Sequence, residues 1–255
     1  MSQAPGTLVR HWDDEGVGRL CLTDARRRNV LSRAMSDAIA DAVEDLVSRD
    51  VGAIIVSAEP PVFCAGGSLD GLLSRSSPLS DSYAGQDAIA SAPIPTIAAV
   101  GGAAIGAGVS LALACDVVLV SPSARFDPRF LDLAIHPGGG HLWRLRRRVG
   151  DQGAAALVLC GDTLVGEQAV TAGMAWKCYP DDALEHAAEQ LARRAAGRSR
   201  ALVARTKETL REVARIDDPE LAADLELAAQ EWSVAQPEFT EAIRTAQERI
   251  ADRPR

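Results

Sequence analysis

The sequence has little of several things. Aromatic residues make up only 4% of its 255 positions, cysteine occurs five times, and 27 basic side chains face 35 acidic ones, a formal net charge of −8. That balance excludes a nucleic acid or an anionic membrane as the main partner, because the phosphate term that dominates such binding would be repulsive overall. The cysteines, Cys21, Cys64, Cys115, Cys160 and Cys178, are odd in number, form no CxxC pair and have no histidine at metal spacing. They read as buried free thiols of a reducing cytoplasm, not as a disulfide framework or a metal site. The start, Met1-Ser2-Gln3-Ala4-Pro5-Gly6, lacks the basic and apolar segments of an export signal.

What is present is an apolar fraction of 47%, too high for disorder, in a chain long enough for one or two domains with a substantial core. One stretch, Ala88 to Cys115, runs 28 residues without a charge, enough to cross a bilayer. Pro93, Pro95, Gly101, Gly102, Gly106 and Gly108 would interrupt such a helix repeatedly, so the stretch is read as strand, glycine loop and buried helix.

Residues 16–22 and 51–56 have the length and apolar content of strands, and Met35, Ala38, Ile39, Ala42, Val43, Leu46 and Val47 keep helical spacing between them. The rhythm returns with a strand over Ile94–Val100, a helix start over Ser110–Cys115 and a strand over Val117–Val120. This alternation predicts an α/β fold with parallel pairing. After Gly150 helix follows helix; Asp218-Pro219 and Gln236-Pro237 are helix starts.

Two segments place small residues just before a helix: Phe63-Cys64-Ala65-Gly66-Gly67-Ser68 and Gly101-Gly102-Ala103-Ala104-Ile105-Gly106-Ala107-Gly108. Uncovered backbone N–H groups and the helix dipole make such sites attractive to an anion or a developing oxyanion. Neither matches a phosphate cradle. Gly106 is followed by Ala107 instead of a lysine, and Gly106 and Gly108 are followed by Leu111 where a dinucleotide loop needs glycine.

With these loops the chain resembles the crotonase superfamily, the enoyl-CoA hydratase/isomerase enzymes. The matching pieces are Arg28-Asn29-Val30-Leu31, the two glycine loops, Pro95 to Val100, Leu111-Ala112 through Cys115-Asp116, Phe126, Pro137-Gly138-Gly139-Gly140, Leu159 to Asp162, Ala172-Gly173 and Tyr179-Pro180. The resemblance implies an α/β spiral of ββα repeats over residues 1–195 and a helical region over 196–255 that makes homotrimers or hexamers. It also implies an acyl-CoA thioester as ligand, with coenzyme A part of the substrate and no separate cofactor or metal. Carried over by position, the N–H groups of Gly67 and Ala107 grip the thioester oxygen, flanked by Gly66, Gly106 and Gly108. The carbonyl of Ala65 meets the adenine, and Arg26 approaches the phosphates.

The family's hydratases use two glutamates, and the resemblance places them at Ser110 and Phe130, neither of which ionises. Ser68 replaces a common acidic residue. The candidates to supply acid–base chemistry are His136 and His141, which bracket the Pro137–Gly140 glycines, and Asp132. Against these stand plainer roles: Ser110 as a helix cap, Asp127 as a turn cap before Pro128, Cys64 as a packed thiol, and Arg144, Arg146, Arg147 and Arg148 as a charged helix face or a CoA or subunit contact. Three functions remain open: an acyl-CoA hydratase/isomerase with an unconventional base, an inactive acyl-CoA-binding protein, and a crotonase-type isomerase or thioester hydrolase.

Overall fold

A computed structural model describes residues 7–74 and 78–251. The chain divides into two compact units, Met1–Gly197 and Arg198–Arg255.

The first unit opens with strands β1 (Val9–Asp14) and β2 (Val17–Leu22), then helix α1 (Arg33–Ser48). Three similar turns follow. In each, one strand belongs to a six-stranded sheet and the next to a four-stranded sheet: β3 (Ala53–Ala58) with β4 (Val62–Cys64), β5 (Thr96–Val100) with β6 (Ala103–Ile105), and β7 (Val117–Val120) with β8 (Arg125–Asp127). Helices close each turn: α2 (Leu69–Ser74) and α3 (Ala84–Ser91) the first, α4 (Ala107–Ala114) the second, α5 (His141–Leu159) the third. The unit ends with β9 (Leu164–Val165), α6 (Gly166–Thr171), β10 (Lys177–Cys178) and α7 (Leu184–Ala196). The larger sheet runs β1-β2-β3-β5-β7-β10 and is parallel except for β1 against β2; the smaller runs β4-β6-β8-β9 and is parallel except for β9. This is the spiral of ββα turns that the resemblance implies.

Strands buried on both faces explain the near-continuous apolar runs. Ile54 and Val56 of β3 pack into the main core with Met35, Ile39 and Leu46 of α1, whereas the alternating Ala53 and Ile55 face a second cluster with Leu184, Ala188 and Ala192 of α7. Helix α1 starts where Ser32 accepts a hydrogen bond from the Met35 N–H at 3.2 Å. The stretch from Ala88 to Cys115 folds as the end of α3, β5, β6 and α4, and no helix among the described residues is long and apolar enough to cross a membrane.

Several local expectations are corrected. Strand β1 escapes the sequence pattern because it is polar and mostly exposed, and β6 lies inside the stretch read as a glycine loop, too short to show a period. The helix after that loop begins at Ala107 rather than Ser110, and two-residue strands β9 and β10 interrupt the helical run after Gly150. Cys21, Cys64 and Cys115 are buried thiols, but Cys160 is exposed at the end of α5 and Cys178 is only partly covered at the sheet edge.

The second unit is helical: α8 (Arg200–Val213), α9 (Pro219–Val234) and α10 (Pro237–Ala251). Asp218 caps α9 by accepting from the Glu220 and Leu221 N–H groups, with Pro219 in the first turn. Helix α10 begins at Pro237.

Candidate active site

The two glycine loops touch. Gly66 has φ +97°, and a Cβ there would stand 2.7 Å from the Ile105 carbonyl oxygen and 3.7 Å from the Ala107 nitrogen. A Cβ on Gly108 would fall 2.4 Å from the Cys64 oxygen. Only glycine permits this approach, which explains the composition of both segments. Gly106, at φ +50°, caps α4 and donates its N–H to the Asp127 carbonyl at 2.8 Å, tying the second loop to β8.

The first loop is fixed by Leu31, whose N–H donates to Gly66 O at 2.8 Å and whose carbonyl accepts from Ser68 N–H at 3.3 Å. Ala65 N–H donates to the Arg28 carbonyl at 3.0 Å. Among the described residues, no acceptor binds the N–H of Gly67 or of Ala107, and nothing lies within 4 Å of where a Gly67 Cβ would stand. Two amide donors from separate loops are thus left open beside each other, the second at the first turn of a helix.

One turn along α4 lies a buried polar pair. Ser110 Oγ is 2.9 Å from Nδ1 of His141, and both residues are almost fully buried, at 2% and 0% exposure. The expected capping role of Ser110 is therefore corrected: it is the fourth residue of α4, past the first-turn donors, and its hydroxyl meets the ring. His141 Nε2 is buried with no partner among the described residues. An unpaired buried polar group costs about 1–3 kcal/mol. Burial, and secondly the Arg144 charge, push the ring's pKa down to about 4, so His141 is neutral at neutral pH. The half-buried Phe130 packs edge-on against it, ring centroids 4.7 Å apart.

The glycines before His141 position it at the start of α5. Gly139 O accepts from Gln86 Nε2 at 2.8 Å and from Arg144 Nη1 at 2.6 Å, and a Cβ on Gly138 would meet the Tyr83 hydroxyl at 2.4 Å. Gln86 and Tyr83 are supports that sequence reasoning missed, and Arg144, read from the sequence as part of a charged face or a CoA or subunit contact, is a third. Gln86 lies 53 residues from its partner and Ser110 31 from His141, distances over which no periodic signal survives.

Other candidates lie apart from this pair. His136 is exposed, its Nδ1 2.7 Å from the Pro137 carbonyl, and Asp132 is exposed on the turn Leu131–Leu133. Arg26 is exposed on the turn Ala25–Arg27. Asp127 is more than a turn cap: its buried carboxylate accepts from Arg125 at 2.8 Å and from Arg129 Nε at 3.0 Å. Cys64 is a packed thiol, its pKa raised by burial to about 11. The four arginines do not form one charged face. Arg144 and Arg148 are fastened to backbone carbonyls, Arg148 to those of Cys115 and Asp116, while Arg146 pairs with Asp151 and Arg147 lies over Trp143.

Comparison with known proteins gives this geometry a family. The enoyl-CoA hydratase/isomerase family profile matches residues 13–250. The chain belongs to the enoyl-CoA hydratase/isomerase family. Among its relatives, the "Probable enoyl-CoA hydratase EchA14" of Mycobacterium tuberculosis is 39% identical over 247 residues, 92% of this chain and 96% of that one. The mitochondrial methylglutaconyl-CoA hydratase of Homo sapiens is 37% identical over 175 residues, 65% of this chain and 52% of that protein. The crystal structure of enoyl-CoA hydratase from Mycobacterium smegmatis superposes with a TM-score of 0.88 at 25% identity, covering 95% of this chain and 97% of that one. In this member of the enoyl-CoA hydratase/isomerase family, Ser110 and Phe130, the positions where the resemblance puts glutamates, both touch the same imidazole.

Proposed function

We propose that the protein binds an acyl-CoA thioester, with the thioester oxygen between the N–H groups of Gly67 and Ala107, and lowers the energy of the enolate formed when the adjacent carbon loses a proton. The observation that carries this reading is the pair of amide donors without acceptors on two loops in contact. Such donors, preorganised where negative charge develops, are each worth about 10²–10³ in rate. The hydratase names of the relatives support a thioester substrate. Coenzyme A is then part of the substrate, with no separate cofactor required, and Arg26 and the Ala65 carbonyl are its proposed contacts. The five free cysteines support a reducing, cytoplasmic setting.

Ala107→Pro tests the reading, because proline is tolerated at the first helical position yet removes the N–H. A conjugated enoyl-CoA should raise the melting temperature of the native protein, and its absorbance should shift to the red as the carbonyl is polarised. Ala107→Pro should fold, lose the red shift and lose about 10²–10³ in turnover. An unchanged shift and rate in that variant would overturn the assignment of the donor; an enoyl-CoA that neither stabilises the protein nor shifts would overturn the thioester reading. Binding with a red shift but no turnover on any thioester leaves a binding protein.

A further inference from the structure

We propose that Asp127, gripped by Arg125 and Arg129, is the positioning residue of the two open amides: it fixes the end of β8 so that the Gly106 N–H stays bonded there and the Ala107 N–H that follows stays in place. The inference rests on the thioester reading above and adds to it the side chains that hold the donors still. All three act through the backbone of the second glycine loop.

Connection is the first argument. The Asp127 carbonyl accepts from the Gly106 N–H at 2.8 Å, and Ile105, one residue earlier, stands opposite Asp127 in the pairing of β6 with β8. Gly106 leads directly into Ala107, the first residue of α4. The Ile105 carbonyl is also the atom that Gly66 approaches, since a Cβ on Gly66 would stand 2.7 Å from its oxygen and 3.7 Å from the Ala107 nitrogen. Residues 105–107 therefore join the end of β8 to both glycine loops, and a shift of that end is passed to both donors. Misplacing such a group by about 1 Å can cost about 10² in rate.

The grip on Asp127 is the second. Arg125 and Asp127 alternate along β8 with Phe126, which is buried in the main core, so their side chains stand on the opposite face. The carboxylate is 4% exposed. Its Oδ2 accepts from Arg125 Nη2 at 2.8 Å, from Arg129 Nε at 3.0 Å and from Arg129 Nη2. Desolvating a carboxylate offsets much of what its pairing returns, and a packed apolar side chain would stabilise the strand as well. What the two guanidiniums add is direction, because charge-assisted bonds to a planar fork fix orientation. The second guanidinium also leaves the cluster with one net positive charge, so it sets no excess negative charge against an enolate.

The backbone supplies the third. Arg129 has φ +28°, a conformation that a side chain makes costly and that persists only where the surroundings impose it. Its own double bond to Asp127 imposes it here. The turn held in this way abuts the loop: the Pro128 carbonyl oxygen lies 3.5 Å from where a Gly106 Cβ would stand.

The test reads the red shift of a bound conjugated enoyl-CoA, which needs no turnover, together with KM and kcat for any thioester the native protein converts. Asp127→Asn should bind the thioester with KM retained, lose most of the red shift and lose about 10–10² in kcat. Arg129→Gln should do the same, and Arg129→Lys, which keeps the charge, should recover part of the shift. A packing role would lower the melting temperature and leave the shift of bound thioester unchanged. In the ligand-free protein, amide exchange at Gly106 should quicken about tenfold or more in Asp127→Asn, while Ile54 of β3, bonded to the Pro95 carbonyl, stays protected. If Asp127→Asn does not fold, the half-exposed Arg129 decides through its two variants. The proposal is overturned if folded Asp127→Asn or Arg129→Gln keeps the native red shift, or if Gly106 keeps its native exchange rate in them. A native protein that gives no red shift with an enoyl-CoA would instead overturn the thioester reading, and this assignment with it.

Discussion

Charging the His141 ring would place a cation in a site that burial shields from water, with Arg144 already close by, and this holds its pKa at about 4. The consequence for stability has a definite sign. Unfolded, the ring takes up its proton near the ordinary value of about 6.5; folded, it does so only near 4, so between those values the unfolded chain binds the extra proton. Stability should therefore fall as the pH drops through that window, by about 3 kcal/mol, and this contribution should level off below it. Urea midpoints of the native protein and of His141→Gln, compared from about pH 7 to about pH 4, check this: the native slope should be the steeper. Equal slopes would mean that the ring protonates in the folded state as freely as in water.

At the scale of elements, the contact between the glycine loops makes its own prediction. In Gly108→Ala the new methyl group meets the Cys64 carbonyl oxygen at 2.4 Å, and backbone cannot yield as a side chain tip does. The loops should part, lowering stability by about 1–3 kcal/mol and weakening the proposed acyl-CoA binding. Gly71→Ala on α2 is the control, because its Cβ meets only the Ser68 side chain at 3.4 Å and alanine favours a helix. Calorimetry and ligand titration on the two variants separate loop apposition from generic glycine loss. Both loops were legible in the sequence, since small residues ahead of a helix have few other uses. What lies across from them was not: β4, β6 and β8 have three residues each, too few for alternation to register, and they assemble a second sheet only through pairing with one another.

For the molecule as a whole, the parallel sheet was readable because strands such as Ala53–Ala58 are apolar on both faces, and a sheet of that kind must be covered twice. The site was readable only in part. Its backbone donors follow from local composition, whereas the Ser110–His141 pair joins two turns of the spiral and exists only once the chain is folded. The helical unit exposes Leu210, Leu221, Leu227, Phe239, Ile243 and Ile250, apolar area that a proposed homotrimer or hexamer would use. Light scattering should give a mass three or six times the 26.9 kDa protomer, and Leu227→Glu with Ile243→Glu should lower it. A native protein of protomer mass would contradict that assembly.

The lone rung of pairing between Leu31 and Gly67 has a further consequence. In parallel β structure, a residue bonds to the neighbours on either side of its opposite number, while the opposite number turns its own peptide groups toward the far edge. Leu31 engages Gly66 and Ser68, so the Gly67 amide is spared by backbone parity and not by the lack of a nearby side chain. Divergence among the surrounding side chains can remodel preference for the proposed acyl ligand while leaving that donor intact.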